Sequence, residues 1–156
     1  MAFRKETIRQ QFSAALATVL EPGEQVRAAG YSVSGPSPWL TGAIGIFLML
    51  FLGMRYYYVA VTDRRVVFMK ASLLTQRPKG LAFAYPLSSA SVSDLTVGKV
   101  WSYLRLQPAG GKQIRLNFHK WWQEEMQQVA RAIQSGARSA APPAAGPDIP
   151  PPPPEP

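Results

Sequence analysis

One uncharged apolar run constrains the fold of this chain more than any other feature of the sequence. Residues 38–54 read PWLTGAIGIFLMLFLGM and contain no Asp, Glu, Lys or Arg. At about 1.5 Å of rise per residue the run makes roughly 26 Å of helix, a little short of a hydrocarbon core of about 30 Å. A run that is apolar on all sides is a poor amphipathic cover for a sheet. It therefore predicts insertion into a membrane, with a buried core helix as the alternative.

The residues that flank the run support membrane insertion. Trp39 lies at one end and three tyrosines follow at the other, and aromatic side chains are typical of the headgroup region. Arg55 can extend toward headgroups, and continuing the helix to residue 58 would close the gap in length. The predicted membrane residues are Trp39, Leu40, Ile44, Ile46, Phe47, Leu48, Leu50, Phe51 and Leu52, and the predicted interface residues are Arg55, Tyr56, Tyr57 and Tyr58.

Two topologies remain open for this segment. Basic residues are scarce before the run and frequent after it, so a single span would place the later sheet and the tail in the cytoplasm. If the strand predicted at 24–34 shares one sheet with the later strands, the segment must leave and re-enter on the same face. We expect the single span slightly more than the re-entrant arrangement, because of the flanking residues.

Hydrophobic periodicity predicts helices at both ends of the folded part. Residues 4–20 form an amphipathic helix with an apolar face of Ile8, Phe12, Ala15, Leu16 and Val19. This face packs on its own domain or docks on lipid or a partner. A closing helix over His119–Gln134 carries an apolar stripe of Trp122, Met126, Val129, Ala130 and Ile133, with Trp121 off the stripe.

Short alternating segments after the apolar run predict six further strands. A Thr62-Asp63-Arg64 turn joins the first two of them, and Pro108–Gly111 forms a hairpin turn between the last two. The strands are Tyr56–Val61, Arg65–Lys70, Leu81–Tyr85, Ser91–Val97, Tyr103–Gln107 and Gln113–Phe118.

The C-terminal residues have a different composition from the rest of the chain. Nine of the fifteen prolines lie within residues 142–156, and proline supports neither a helix nor a sheet ladder. We expect 136–156 to be a disordered, extended tail, a spacer or a ligand for a polyproline-reading domain. The predicted domains are therefore a helix at 1–20, a sheet domain at 21–135 and this tail.

Two sequence stretches carry a resemblance to a known family. YYVAVTDRRVVF at 57–68, preceded by LEPGEQV at 20–26, is similar to bacterial pleckstrin-homology-like domains over about residues 20–135. The resemblance implies a mainly β fold, a seven-stranded, strongly bent antiparallel sheet capped by a C-terminal helix. It also implies a binding or scaffolding role without catalytic residues. Phosphoinositide-binding relatives use basic residues between strands one and two, where this chain has 38–54, so inositide-specific binding is not expected.

The residue types needed for catalysis or metal binding are sparse. The chain has no cysteine and a single histidine, His119, so a thiol nucleophile and a multi-histidine metal site are excluded. The sequence contains no serine-centred elbow and no phosphate-cradling glycine loop. We predict no enzyme activity, no cofactor and no metal. The charged N-terminus also predicts that there is no signal peptide.

Net charge indicates an anionic partner. The chain carries 17 Lys+Arg and 9 Asp+Glu, a net charge of +8, which favours an anionic lipid surface or nucleic acid. Five basic residues after the apolar run are predicted to fasten the sheet to the cytoplasmic leaflet, or else to be ordinary solvated charges: Arg64, Arg65, Lys70, Arg77 and Lys79.

The predicted function is a membrane-anchored, non-catalytic module at the cytoplasmic face, binding a protein segment or anionic lipid. The alternative is a soluble, basic nucleic-acid-binding protein.

Overall fold

The computed structural model describes residues 2–35, 54–72 and 75–140. All seven predicted strands are present there, with ends that differ from the predicted ones by at most three residues. The elements are α1 (Ala2–Ala17), β1 (Val26–Ser34), β2 (Arg55–Thr62), β3 (Arg65–Ala71), β4 (Pro78–Pro86), β5 (Ala90–Thr96), β6 (Trp101–Pro108), β7 (Ile114–His119) and α2 (Gln123–Ala140). Two 3₁₀ turns, Leu87–Ser89 and Lys120–Trp122, precede β5 and α2.

The seven described strands form one antiparallel sheet in the order β4-β3-β2-β1-β7-β6-β5. β1 pairs with β2 along its whole length, but it pairs with β7 only at Val33 and Ser34. Because β1 and β7 separate after two residue pairs, the sheet opens into a β1–β4 part and a β5–β7 part. Helix α2 fills the space between them and contacts β1, β2, β5, β6 and β7.

The main core lies between α2 and the inner face of the sheet. The predicted stripe of the closing helix is confirmed, since Trp122 of the preceding 3₁₀ turn and the four stripe residues of α2 are each at most 8 % exposed. It packs against sheet residues that include Phe68, Leu104, Leu116 and Phe118. Trp121 lies off the stripe, as predicted, and is 52 % exposed.

Helix α1 covers the outer face of β2 and β3. Phe12 and Leu16 are buried, and the Phe12 ring stacks on Tyr58 with 4.7 Å between ring centroids. Tyr58 and Met69 belong to the same second core cluster. Of the two alternatives for the apolar face of this helix, the structure shows packing on its own domain.

Alternating strand directions place the connections of the β1–β4 part at two ends. At one end, here called the insertion end, lie the β1–β2 and β3–β4 connections, and at the other, the hairpin end, lies the turn at 63–64 between β2 and β3. The β5–β7 part is bent relative to these strands, and its β6–β7 turn contacts Ser89, which follows the end of β4. The predicted Pro108–Gly111 turn is confirmed, with Gly110 at φ +70° and the Gly111 N–H donating to the Pro108 carbonyl over 3.2 Å.

Among the described residues, no helix is both long enough and apolar enough to cross a bilayer. Residues 136–140, predicted to begin the tail, are instead the last residues of α2. The predicted membrane residues from Trp39 to Leu52 and residues 141–156 of the Pro-rich tail lie outside the described residues. Their membrane insertion and disorder stay predictions.

Substitution of Phe12 tests the packing of α1. We expect Phe12→Ala to lower the free energy of unfolding by about 3 kcal/mol, because it removes a buried ring from a helix–sheet contact. The neighbouring exposed change Ser13→Ala should cost less than about 0.5 kcal/mol. Urea unfolding of both variants measures this, and equal midpoints would show that α1 does not pack on the sheet.

Candidate functional site

The site begins where the apolar segment joins the sheet. Ser34 is paired directly with Arg55, and Val33 with Tyr56. Beyond these pairs, a Cβ placed on Gly35 would lie 3.1 Å from Cγ of Met54. Gly35 has φ +142°, a conformation that favours glycine. The chain therefore leaves β1 and returns to β2 at a single point on the insertion end.

This adjacency decides between the two topologies. A single crossing would place Gly35 and Met54 on opposite sides of a membrane, whereas they are in contact. Two full crossings need about forty apolar residues, and only residues 36–53 separate the two positions. The expected single span is therefore wrong, because β1 is a full member of the sheet. The shallow or re-entrant insertion stays a prediction.

Four basic side chains are exposed at the insertion end. Arg55 begins β2, Lys70 lies at the end of β3, and Arg77 and Lys79 lie at the start of β4. The three strands are neighbours, with Tyr57 opposite Lys70. No ion pair between described residues involves any of the four cations. Their positive charge is therefore not offset by a carboxylate of the described part.

Arg65 lies at the hairpin end, and its side chain binds other residues of the protein. Its guanidinium donates two hydrogen bonds of 2.9 Å to the Glu24 carboxylate and one of 3.1 Å to the Val19 carbonyl. The Glu24 side chain is fully buried, and the Thr62 hydroxyl donates to it over 2.7 Å. The bonds from Arg65 are the largest cause that lowers the Glu24 pKa to about 2.

Arg64 lies beside Arg65, and the structure separates both from the other predicted surface cations. Arg64 pairs with Glu21 at 3.3 Å. The eight residues of β2 make roughly 27 Å of strand between this turn and the insertion end. The predicted anionic-surface set therefore divides, with Lys70, Arg77 and Lys79 beside the apolar segment and the two arginines far from it.

The tyrosines predicted at a membrane interface are part of the protein core. Tyr57 and Tyr58 are 4 % and 1 % exposed, and only Tyr56 is partly exposed. Tyr57 packs edge-on against Phe68. Tyr58 donates its hydroxyl to the Gln76 carbonyl, and burial raises its pKa to about 12. The interface prediction was wrong for Tyr57 and Tyr58 because β2 has core on both faces.

The sequence contained a signal for this burial. YYYVAV at 56–61 does not alternate between polar and apolar residues, and such runs are typical of strands covered on both sides. The covering helix α1 explains why the run is continuous.

Sequence reasoning did not find a cavity of about 260 Å³ between α1, β1 and α2. Arg9 of α1 pairs with the buried carboxylate of Glu125 on α2 at this cavity. Phe12, Tyr58 and Trp122 supply aromatic lining. No local sequence pattern joins Arg9 to Glu125, since they lie 116 positions apart.

The only histidine of the sequence does not belong to a cluster of metal-ligating side chains in the described part of the chain. His119 is the last residue of β7, and its Nδ1 accepts a hydrogen bond from the Trp121 N–H over 3.5 Å. Burial, with a smaller effect of Lys120, lowers its pKa. The residues described include no group of three His, Cys, Asp or Glu side chains that could hold a metal ion.

Seven antiparallel strands followed by one C-terminal helix are the arrangement that the sequence resemblance implied. The fold is pleckstrin-homology-like. Solved structures similar to this chain include pleckstrin-homology domains. No protein-family profile and no curated protein sequence matches the chain.

Three of the similar structures are the linker-DH/PH domains of p115-RhoGEF, a structure of Vav1 with an allosteric inhibitor, and the Slm1 PH domain with inositol-4-phosphate. The p115-RhoGEF match has 12 % identity and a TM-score of 0.48, covering 81 % of this chain and 32 % of that one. For Vav1 the values are 16 %, 0.49, 88 % and 34 %, and for Slm1 12 %, 0.44, 72 % and 97 %. This chain thus spans about a third of the first two, and such low identities say nothing of its ligand.

The buried Glu24 carboxylate makes stability depend on pH. Its pKa falls from an ordinary value of 4.5 to about 2 in the folded protein, so between these values the unfolded chain binds more protons. Stability is then complete above about pH 4.5 and falls as the pH drops toward 2. We expect Glu24→Gln to reduce this acid slope in urea unfolding measured across pH. The exposed Glu6→Gln should keep the slope, and an unchanged slope in Glu24→Gln would contradict the assignment.

Proposed function

We propose that this chain is a non-catalytic binding module that attaches to an anionic membrane surface through its insertion end. The apolar residues 38–54 enter the bilayer without crossing it, and Arg55, Lys70, Arg77 and Lys79 contact lipid phosphates. The observation that carries the proposal is that the apolar segment leaves the sheet beside these exposed cations.

The free energies of membrane binding indicate that the apolar segment and the cations act together. Full burial of a single Leu, Ile or Phe side chain is worth about 1.5–3 kcal/mol, and each cation near an anionic surface adds about 1 kcal/mol. A shallow insertion that buries only part of the apolar run gives reversible binding. The cations then make that binding depend on lipid charge and on salt.

The side of the membrane follows from lipid charge rather than from the count of flanking residues. The positive-inside rule concerns segments that cross the bilayer, so it does not orient a re-entrant segment. The cytoplasmic leaflet is the one rich in anionic lipid. We therefore keep the cytoplasmic face as the proposed location of the sheet and tail.

Replacing the apolar segment tests its role directly. Because Ser34 and Arg55 are already paired, residues 36–53 can be exchanged for a short Asn-Gly turn, which suits a hairpin. We expect this variant to keep the thermal unfolding of the parent chain and to stay in the supernatant when sedimented with phosphatidylglycerol vesicles. Undiminished co-sedimentation of the folded variant would contradict the proposal.

Neutralising the cations tests whether their position, and not the total charge of the chain, drives membrane binding. One variant changes Arg55, Lys70, Arg77 and Lys79 to Gln. A matched control removes the same charge from exposed residues elsewhere, Arg27, Lys99, Lys120 and Arg131. At about 1 kcal/mol each, every cation lost at the insertion end should weaken vesicle binding about fivefold at low salt.

The control in that experiment should lose much less affinity for phosphatidylglycerol vesicles. Equal losses in the two variants would mean that net charge alone drives binding and would contradict a defined membrane-facing end.

The nucleic-acid alternative is not proposed. Tyr103 lies next to two basic groups, and its ring already packs against Arg115 at 4.2 Å and Arg105 at 5.5 Å within the protein.

A further inference from the structure

An exposed apolar surface lies where the β5–β6 connection meets the end of β7. It consists of Val97, Val100, Trp101, His119 and Trp121, here called the aromatic patch. Trp101 and His119 are paired across β6 and β7, with 5.2 Å between ring centroids. The His119 and Trp121 rings are 4.7 Å apart. The rings of Trp101, His119 and Trp121 thus form one continuous surface.

The backbone holds the aromatic patch in shape. The Lys120 N–H donates to the Val100 carbonyl over 2.8 Å, which ties the β5–β6 connection to the start of the closing helix. Gly98 allows the tight turn, because a Cβ there would lie 2.2 Å from the Trp101 carbonyl oxygen. The turn leaves Val97 and Val100 at 49 % and 41 % exposure. The patch therefore has apolar side chains turned outward on a backbone held by this hydrogen bond.

We propose that the proline-rich segment 141–156 docks on the aromatic patch of its own chain. Extended proline-rich segments bind surfaces lined by aromatic rings, where a preformed polyproline II conformation loses little entropy. The membrane-docking proposal does not depend on this contact, since the aromatic patch includes neither the apolar segment nor the four cations of the insertion end.

The length of the segment fits this path. Helix α2 has 18 residues, so it carries the chain about 27 Å from the aromatic patch. Residues 141–149 in polyproline II conformation span about 28 Å. A return along α2 would therefore bring the five consecutive prolines 150–154 to the aromatic patch. Gly146 provides a residue at which the extended chain can change direction.

Charge complements the apolar contact. Lys99 and Lys120 are exposed beside the patch, and the only charged residues of 141–156 are Asp148 and Glu155, on either side of the five prolines. Attraction between these groups favours this segment over a basic one. The tether adds an effective concentration on the order of millimolar, so a contact with a millimolar Kd would be occupied in about half of the molecules.

Paramagnetic labelling of the full chain in detergent micelles tests the contact. Because the sequence has no cysteine, Ile149→Cys provides a single site for a nitroxide label. We expect the indole N–H signals of Trp101 and Trp121 and the amide signal of Val97 to lose about half of their intensity or more. Unchanged intensities at these three groups would overturn the proposal.

Two variants and a mixing experiment make the result specific. In the labelled chain, Trp121→Ala should restore the Val97 signal, whereas Leu81→Ala, an exposed apolar change on β4, should not. Equal effects of the two substitutions would contradict docking on the aromatic patch. Mixing labelled chain with isotope-enriched unlabelled chain should leave the enriched signals intact. Broadening in that mixture would show docking on a second copy and overturn the intramolecular contact.

Discussion

The pairing of β1 with β2 up to Ser34 and Arg55 determines how the rest of this molecule can meet a membrane. Backbone hydrogen bonds hold the two strand ends together, and Gly35 and Met54 extend the contact by one residue on each side. An apolar segment with joined ends is an enlarged hairpin loop, whatever conformation it takes. Its two ends must stay on one side of a bilayer, and the exposed cations of β2, β3 and β4 lie beside that point.

The ion pair between Glu24 and Arg65 secures the other end of the same strands. It joins the residues that precede β1 to the β2–β3 turn, and the buried Thr62 hydroxyl completes it. Breaking one partner of such a pair leaves a buried charge or polar group unsatisfied, which is costly. Two arginines that look in sequence like surface charges therefore have different roles from the cations at the insertion end. Of the five cations predicted to face a membrane, Arg64 and Arg65 pair with Glu21 and Glu24, whereas Lys70, Arg77 and Lys79 are exposed at the insertion end.

Much of the fold could be predicted from periodicity and turn chemistry. Alternating strands, the Pro108–Gly111 turn and the stripe of α2 are local patterns that packing reinforces, and the structure contains each of them. The exposure of single residues was less predictable. Tyr57 and Tyr58 adjoin an apolar run in sequence, but α1 covers the second face of their strand. Arg65 finds its partner 41 positions away, and the Arg9–Glu125 pair joins the two helices. Such contacts depend on tertiary placement, which no local pattern contains.

The accessibility of engineered cysteines on the two sides of the apolar segment tests the central claim most directly. Arg27→Cys precedes the segment and Thr75→Cys follows it, and both positions are exposed. Each single-cysteine chain would be reconstituted into sealed vesicles and treated with a membrane-impermeant maleimide, before and after the vesicles are opened with detergent. A joined β1–β2 hairpin predicts the same labelled fraction at both positions in the sealed vesicles. Labelling of one position with full protection of the other would show that the segment crosses the bilayer once, and it would contradict this account.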